Sequence, residues 1–486
     1  MTGPKIISQE TYDEVVVENV KDFDKPLDEA IQDTIQEFEA QGVLLANIIK
    51  EVKLDANNEK VVHPVLESLE VIKSATSDDR DEPDCHATTA PVDLLGALTT
   101  FSDECKISLP HRVLATKYGA YSYLMRLLKQ AKDDGEKLSR GLTAMQALSD
   151  GNPDVLEDSG VNFMLEMMEC WHSDMQSNIM EVLARWCHSC NIKHEGNRQL
   201  LFNAGVPHAL VTSLQGCSAQ QHQGRMVATL KALRSFTLDD DIRVEIGRAH
   251  EHCRHLVEEE GLIAVALQVI KGAVACSMAG LAGEALATLS CVCVRAEYCQ
   301  QATEAGALDV INSILINFPD SAIINKQSIA LIATLAGDDN VKSFVMKSGT
   351  PSLIVKAMDK HQLSAGVCSA GCSAVSMLAL RHPQNAAQLV DCGAAGAVLQ
   401  AMKQHQHEKQ VQKMGCLALR NLCSRSPQAA ELLRLMQADG VVQAALSNHG
   451  DAVKDLAKSA LRDMGVDVAL EERWHGKGHE LAMGDP

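Results

Sequence analysis

Short apolar segments recur along the chain, each built around a glycine. Four examples are "LFNAGVPHALVTSL", "ATEAGALDVINSIL", "VMKSGTPSLIVKAM" and "LVDCGAAGAVLQAM". The fifth residue after the glycine is apolar in every copy, and the ninth is apolar in most copies. Residues four positions apart lie on the same face of a helix, so each segment predicts a buried helix that follows a glycine turn.

The segment returns with a nearly constant period. The glycines are Gly119, Gly160, Gly205, Gly261, Gly306, Gly349, Gly393 and Gly440. Their successive spacings are 41, 45, 56, 45, 43, 44 and 47 residues, and all but one match a helical repeat of roughly 40–47 residues. A longer apolar helix precedes the glycine units, as in "MVATLKALRSF" and "GCLALRNLC". The pattern predicts an all-α solenoid of about eight repeats, each with three helices.

The N-terminal part, residues 1–76, departs from this pattern. It contains two amphipathic stretches, residues 11–23 and 26–41. The first begins with Thr11 and Glu14, which have the spacing of a capping box. We therefore expect two helices that cap the solenoid or dock on it.

The remaining boundaries follow from composition and spacing. Residues 77–91, "SDDRDEPDCHATTAP", are polar and contain proline, which predicts a flexible linker. We expect the repeat domain to span residues 92–468 and a flexible tail to span residues 469–486. The one long spacing predicts an insertion at 237–256.

Charge and cysteine content restrict the partners and the compartment. A formal net charge of −20 repels phosphate, which argues against nucleic acid and anionic membranes and favours a protein partner with a basic segment. No uncharged apolar run reaches the ~18 residues of a membrane span. The 16 cysteines, together with an N-terminus that does not look like a secretory signal, predict a reducing compartment. We expect a cytoplasmic protein and leave the nucleus open.

Several segments carry a resemblance to a known family. The segment "CLALRNLCSRSPQAAELLRLMQADGVVQAAL" is similar to armadillo repeats. The segments "KHEGNRQLLFNAGV", "LRSFTLDDDIRV" and "ISQETYDEVVVENV" resemble the armadillo repeat-containing protein 6 family, and the resemblance extends over residues 7–468. It implies a right-handed armadillo superhelix in a soluble protein that is not an enzyme.

The insertion has an unusual sequence, "FTLDDDIRVEIGRAHEHCRH". Insertions in solenoids form loops on one face, which is often the binding face. Its aspartates are expected at the start of the next helix, where free N–H groups favour negative charge. The predicted partner-binding residues of the insertion are Asp239, Asp240, Asp241, Arg243, His250, His252 and His255. The alternative is that these charged residues pair with one another inside the solenoid.

The histidines also raise the possibility of a metal. Zinc needs about four converging ligands, but on a helix Cys253 points away from His252 and His255. We therefore predict no metal and no cofactor, and keep a metal- or redox-regulated module as an alternative. Cys187 and Cys190 form a C-x-x-C, which we interpret as core cysteines of an interior helix.

The third helices provide a second set of candidates. Armadillo proteins of the nuclear-import and adhesion type bind peptide backbone through a ladder of asparagines on these helices. The segment "ALRNL" places Asn421 at such a position, but other residues occupy the equivalent positions elsewhere. Trp186, Arg234 and Arg420 are further groove candidates, because aromatic and arginine side chains dominate binding hot spots. A core position is the alternative for Trp186.

The chain carries no motif of a nucleophilic enzyme, a phosphate-binding loop or a metalloprotease. We therefore predict a protein that is not an enzyme. Its predicted function is an interaction scaffold that binds a partner peptide or helix along an acidic concave groove. The insertion would be a second contact or a gate. An importin-like adaptor for basic cargo is the alternative.

Overall fold

The computed structural model describes residues 5–76, 93–170 and 177–468. The predicted linker 77–91 and the predicted tail 469–486 lie outside the described residues.

Helices account for nearly all regular structure of the described residues. Helices α1–α14 are Gln9–Asp22, Leu27–Ala40, Pro64–Thr76, Leu94–Ile107, Leu109–Lys117, Ala120–Gln130, Gly135–Ser149, Asp158–Cys170, Ser177–Asn191, Glu195–Asn203, Val206–Leu214, Gln223–Ser235, Ala249–Glu258 and Leu262–Ala275. Helices α15–α27 are Ala279–Val292, Ala296–Glu304, Ala307–Asn317, Ala322–Leu335, Asp339–Lys347, Thr350–Lys360, Ala365–Ala379, Pro383–Asp391, Ala394–Gln404, Lys409–Cys423, Pro427–Leu435, Ala438–His449 and Lys454–Asp463. Two isolated β-bridges, Lys5–Val43 and Leu54–Lys60, are present, and no described helix is long and apolar enough to span a membrane.

The triplet α10, α11 and α12 illustrates how one repeat is built. His194 precedes α10, and its Nδ1 accepts a hydrogen bond from the Asn197 N–H at 2.9 Å, which satisfies a free donor at the helix start. Gly205 joins α10 to α11 with a φ of 91°, which is costly for any residue with a side chain. Leu210 and Leu214 on α11 are buried, as their four-residue spacing predicts.

Within the described residues, eight triplets of this kind follow one another. Their second helices are α6, α8, α11, α14, α17, α20, α23 and α26, and their third helices are α7, α9, α12, α15, α18, α21, α24 and α27. In the second triplet, a short 3-10 turn at Pro153–Val155 stands in place of the first α-helix. The predicted all-α solenoid of three-helix repeats is confirmed.

The chain forms two compact units, residues 1–265 and 266–486. In the first unit, α3, α4, α7, α9 and α12 form a row in which each helix packs against the next. In the second unit, α15, α18, α21, α24 and α27 form a similar row. Each row buries apolar faces that a single triplet could not bury alone.

Residues 5–76 form a small helical segment at the start of the first unit. Tyr12, Val16 and Phe38 belong to its buried apolar cluster. Ser8, not Thr11, caps α1, because the Ser8 Oγ accepts a hydrogen bond from the Thr11 N–H at 3.2 Å. The sequence analysis did not predict α3, which packs against α4 and α6 and so joins this segment to the repeats.

Gly160 was predicted to be a turn residue, and this prediction is wrong. Gly160 lies inside α8, where no positive φ is needed. An added Cβ would collide with the hydroxyl of Tyr121 and would lie 3.1 Å from Leu156 Cδ1. The glycine is therefore required by close packing and not by a turn.

The predicted turn at Gly440 is also wrong. Gly440 lies inside α26, and the left-handed residue before this helix is Gln437, with φ 60° and ψ 36°. Gln437 is 44 residues after Gly393, a spacing that equals the one from Gly349 to Gly393. The last repeat therefore keeps the common period, but it makes the turn without glycine.

We expect Gln437→Gly to stabilise the second unit, because a side chain in the left-handed region costs about 1–2 kcal/mol. Gly440→Ala should leave the stability unchanged or raise it by up to ~1 kcal/mol, because alanine favours the helix and nothing lies within 4 Å of the added Cβ. The measurement is the denaturant midpoint of each variant. Destabilisation by Gly440→Ala together with no gain from Gln437→Gly would contradict this assignment of the turn.

Candidate functional site

The long spacing between repeats is caused by a loop. Residues 236–248, which we call the isoleucine loop, connect α12 to α13. Residues 249–256 of the predicted insertion belong to α13, which is the regular first helix of the next triplet. The irregular part of the insertion therefore contains the aspartates, but not His250, His252 or His255.

Asp240 and Asp241 were expected at the start of the next helix, but they bind the start of an earlier one. Asp241 Oδ2 accepts a hydrogen bond from the Glu195 N–H, at the beginning of α10, at 2.8 Å. Both oxygens of Asp240 accept from the Lys193 N–H at 3.2 Å. The loop folds back on the preceding repeat, because the free N–H groups at that helix start favour carboxylates.

A buried ion pair lies below this contact. Arg198, which is fully buried, donates through Nε to Glu195 Oε2 at 2.9 Å and also pairs with Asp240. Glu195 Oε1 accepts from the Arg248 N–H, at the far end of the loop, at 2.9 Å. Burial would raise the pKa of Glu195, but hydrogen bonds from Gln199, the Arg248 N–H and Arg198 outweigh it and lower this pKa. Both ends of the loop are thus tied to α10.

Arg243 fixes the middle of the loop. Its Nε donates to Asp241 Oδ1 at 2.9 Å, and its Nη2 donates to the Lys193 carbonyl at 3.1 Å. The Arg243 guanidinium holds the pKa of Asp241 well below its usual range. Arg243 Nη1 also lies 3.1 Å from Asp154 Oδ1, which belongs to the repeat before the one that contains α10. Asp239 is exposed near the outer edge of this network.

The fixed backbone of the loop presents apolar side chains to solvent. Ile242 is 101% exposed, Val244 is 39% exposed and Ile246 is 78% exposed. A turn, in which the Val244 N–H donates to the Asp241 carbonyl at 3.1 Å, brings Arg243 to its carboxylate partners while Ile242 stays in solvent. The sequence analysis missed these three residues, although their alternation with charged residues is visible in "IRVEI".

The histidines of α13 do not converge on a common point. His252 is buried, stacks on Phe202 with ring centroids 4.1 Å apart, and lies with its Nδ1 3.1 Å from the Phe236 carbonyl. His255 pairs with Glu260 at 3.2 Å, and His250 is exposed. Among the described residues, their ligand atoms and that of Cys253 form no group of three within 4.8 Å, so this geometry gives no support to a metal site at the insertion.

The predicted groove residues lie in different environments. Trp186 is fully buried and donates through Nε1 to Ser149 Oγ at 3.0 Å, so its predicted groove position is wrong. Asn421 donates to the backbone and the hydroxyl of Ser376 on the neighbouring third helix, at 3.0 and 2.9 Å. Its amide N–H groups are therefore already used. Arg420 Nε lies 3.5 Å from Asp463 Oδ2 on α27. Arg234 is half-buried on α12.

The C-x-x-C cysteines lie in the core of the first unit. Cys187 and Cys190 are both fully buried on α9. Burial raises the pKa of Cys190 to about 12 and also raises the pKa of Cys187. Such thiols are poor nucleophiles and poor ligands at neutral pH, as expected for core cysteines.

The second unit contains a groove across three third helices. Its volume is about 690 Å³, and its walls come from α18, α21 and α24. The floor is made of small and apolar residues: Ala330, Ala333, Ala370, Ser373, Met377 and Met414. Lys326 and Glu408 are the charged residues that line it. This stretch of groove is therefore apolar and not acidic, contrary to the expectation of an acidic concave surface.

The stacked three-helix repeats define an armadillo repeat protein, and solved structures support this class. An engineered protein matches 83% of this chain and 99% of its own, with a TM-score of 0.51 and 17% identity. A structure concerned with a phosphorylation switch in the interaction between cadherin and beta-catenin matches 83% of this chain and 69% of its own, with a TM-score of 0.54 and 13% identity. At these identities the matches show the fold alone.

Sequence comparisons identify the family. The ARMC6 family model matches residues 45–483, and the model for the armadillo repeat-containing protein 6 N-terminal domain matches residues 4–83. Human armadillo repeat-containing protein 6 is 39% identical over 98% of this chain and 94% of its own. The Drosophila melanogaster homolog is 33% identical over 80% of each chain. The chain belongs to the armadillo repeat-containing protein 6 family.

We expect Asp241→Asn to loosen the loop and the start of α10 at neutral pH, because the Glu195 N–H and Arg243 would lose a charged acceptor. The folded-state pKa of Asp241 is lowered, so its stabilising effect is complete above about pH 4, the unfolded value, and is lost as the pH falls further. Hydrogen exchange at the Glu195 amide should therefore differ between wild type and variant at pH 7, and the difference should shrink on acidification. A difference that does not depend on pH would contradict a role for the carboxylate charge.

Proposed function

We propose that the chain is a non-catalytic adaptor that binds another protein through the isoleucine loop. The observation that carries this proposal is the exposure of Ile242 and Ile246 on a backbone that buried charges hold in place. Single exposed apolar side chains are common on this chain, for example Leu363 at 78%, but Ile242, Val244 and Ile246 are exposed together within five residues of one loop. Clustered apolar surface, unlike single apolar residues, marks interaction sites. The armadillo fold supports the proposal, since it is commonly a protein-binding scaffold.

The network below the loop favours binding in two ways. It fixes the backbone before the partner arrives, which lowers the entropy lost on association. It also leaves the isoleucines free to be buried, and burying each one contributes about 1.5–3 kcal/mol. Asp240 and Asp241 therefore position the loop, whereas Ile242, Val244 and Ile246 would contact the partner.

The charges around the loop define the kind of partner. Asp239 and Glu245 are exposed beside the isoleucines, but so are Arg243 and Arg248 of the same loop. The case for a basic partner therefore rests on the net charge of the whole chain, which is −20. A segment that combines an apolar anchor with basic flanking residues is complementary to this surface. The same charge disfavours nucleic acid and anionic membranes. The proposal places the protein in the cytoplasm or nucleus, where buried free thiols such as Cys187 and Cys190 stay reduced.

The groove of the second unit is a separate surface for an apolar peptide. Met377 and Met414 supply adaptable contact area, and the small floor residues allow a peptide backbone to approach closely. This lining supports apolar contacts more than importin-like binding of a basic cargo, which would need several carboxylates. The amide of Asn421, which hydrogen-bonds within the protein, also weighs against an asparagine ladder.

We expect the double variant Ile242→Asp, Ile246→Asp to lose a binding partner without loss of stability. Burying the two new carboxylates without partners is unfavourable, so recovery of the partner should fall at least about tenfold. A photo-crosslinking residue in place of Val244, which is the same in the wild type and in the variant, captures the partner directly in cells. Quantitative mass spectrometry then compares its recovery by the wild type and by the variant.

The matched control is Leu435→Asp, because Leu435 is 77% exposed on α25, a similar value to Ile246. This control should retain the partner, and all variants should keep the wild-type melting temperature. Recovery should change little with salt if apolar contacts dominate, and should fall steeply if the partner is a basic cargo. Equal recovery by the wild type and by the double variant would exclude the isoleucine loop as the contact.

The groove is tested by Ser373→Arg, which places a long charged side chain over the floor between Met377 and Met414. Partners that bind the groove should be lost by this variant, but they should be retained by the loop variant. The control is Lys347→Arg in α19, which adds a guanidinium group outside the groove lining. This control should retain the partners. If recovery of every partner is unchanged by Ser373→Arg, the groove is not a binding surface.

A further inference from the structure

A cavity separates the N-terminal segment from the first helices of the repeat domain. Its volume is about 580 Å³, and its walls come from α1, residues 48–53, residues 60–66, α4 and α5. Three potential metal ligands share one wall: His63, Glu104 and His111. Among the described residues, this is the one group of three such side chains whose ligand atoms all lie within 4.8 Å of one another.

The distances in this group exclude direct hydrogen bonds. His111 Nε2 lies 3.7 Å from Glu104 Oε2, and His63 Nδ1 lies 3.9 Å from the same oxygen. The two imidazole rings meet edge to face, with centroids 4.9 Å apart. A hydrogen bond needs about 2.7–3.2 Å, so the three groups converge without satisfying one another.

The orientation of the histidines leaves lone pairs for a ligand. His111 Nδ1 is 2.8 Å from Ser108 Oγ, which fixes the ring and directs Nε2 towards Glu104. His63 Nδ1 accepts a long hydrogen bond, 3.3 Å, from the Val65 N–H, and a stronger ligand would replace it.

We infer that His63, Glu104 and His111 form a Zn²⁺ site. Two histidines and one glutamate are a known ligand set for zinc with an open coordination position. Zinc–nitrogen and zinc–oxygen bonds of about 2.1 Å place tetrahedral ligand atoms about 3.4 Å apart. The observed 3.7 and 3.9 Å exceed this value by a few tenths of an ångström, which side-chain rotation can supply.

The site joins two parts of the chain that the sequence analysis assigned to different domains. His63 precedes α3 in the N-terminal segment, whereas Glu104 lies on α4 and His111 on α5. The bound ion would therefore fasten the N-terminal segment to the repeat domain. Its remaining coordination position would face the cavity, where water or a side chain of a partner could bind. This inference does not depend on the proposed role of the isoleucine loop.

The test uses the full-length protein without a histidine tag. A chelator removes metal, Zn²⁺ is added back, and the zinc content after desalting is measured by mass spectrometry. We expect about one Zn²⁺ per chain for the wild type, and a loss of at least about tenfold in affinity for His111→Ala and Glu104→Gln. His250→Ala, which removes an exposed histidine on α13, should bind like the wild type.

Co²⁺ provides a readout that zinc cannot give. A site of two histidines and one carboxylate should show visible ligand-field absorption without the near-ultraviolet charge-transfer band of a thiolate. A thiolate band would assign the metal to one of the cysteines and would overturn the inference.

A structural readout separates loss of the site from loss of the fold. Zn²⁺ should slow amide exchange in α3 of the wild type and should raise the melting temperature, because it binds the folded state. His63→Gln should retain the wild-type circular dichroism spectrum but lose both responses. The inference is overturned if Zn²⁺ fails to bind stoichiometrically, or if Glu104→Gln and His63→Gln bind it as the wild type does.

Discussion

The third helix of each repeat is fully buried only when the third helix of a neighbouring repeat also packs against it, and this constraint governs both units. The second and third helices of one repeat must first pack closely enough to present a single apolar face. Gly371 and Gly415 make this possible, because a Cβ at either position would collide with Met358 or Met402 of the preceding helix. Methionine then fills the space that the glycine leaves. Stability is therefore distributed along each row of third helices and does not reside in one core.

The same constraint determines what remains available for binding. Two amides within the rows are paired with a neighbouring repeat: Asn191 donates to Ser235 of the next repeat at 2.9 Å, and Asn421 donates to Ser376 of the preceding repeat at 2.9 Å. An amide that bridges two repeats cannot also hold a peptide backbone through the same N–H groups. The fold is that of an armadillo protein. The Asn421 N–H groups, which an asparagine ladder would use to bind a peptide backbone, form hydrogen bonds within the protein instead.

The fold could be predicted from periodicity. Each buried helix recurs roughly every 40–47 residues, so the apolar residues and glycines recur with the same period in the sequence. Local patterns failed where long-range contacts decide. Asp241 binds a helix start that lies 46 residues earlier in the chain, so its neighbours in the sequence do not reveal its role. Gln437 adopts the left-handed conformation that glycine has at the same place in repeats such as those of Gly349 and Gly393, and nothing in the sequence around it predicts this. Exposure of Ile242 could not be deduced either, since an isoleucine in an apolar chain is expected inside.

The candidate binding groups therefore lie at two places: the loop that interrupts the repeat period and the N-terminal end of the repeats. The extra residues of the isoleucine loop do not take part in helix stacking. The ion pairs of Arg198 with Asp240 and Glu195 hold the loop backbone in one position. Residues 5–76 pack against the first described repeat and leave a cavity with side chains that do not satisfy one another. Both places contain the polar and apolar groups that a regular armadillo repeat would have buried or paired. In a solenoid of this kind, departures from the period are thus better guides to function than the repeats themselves.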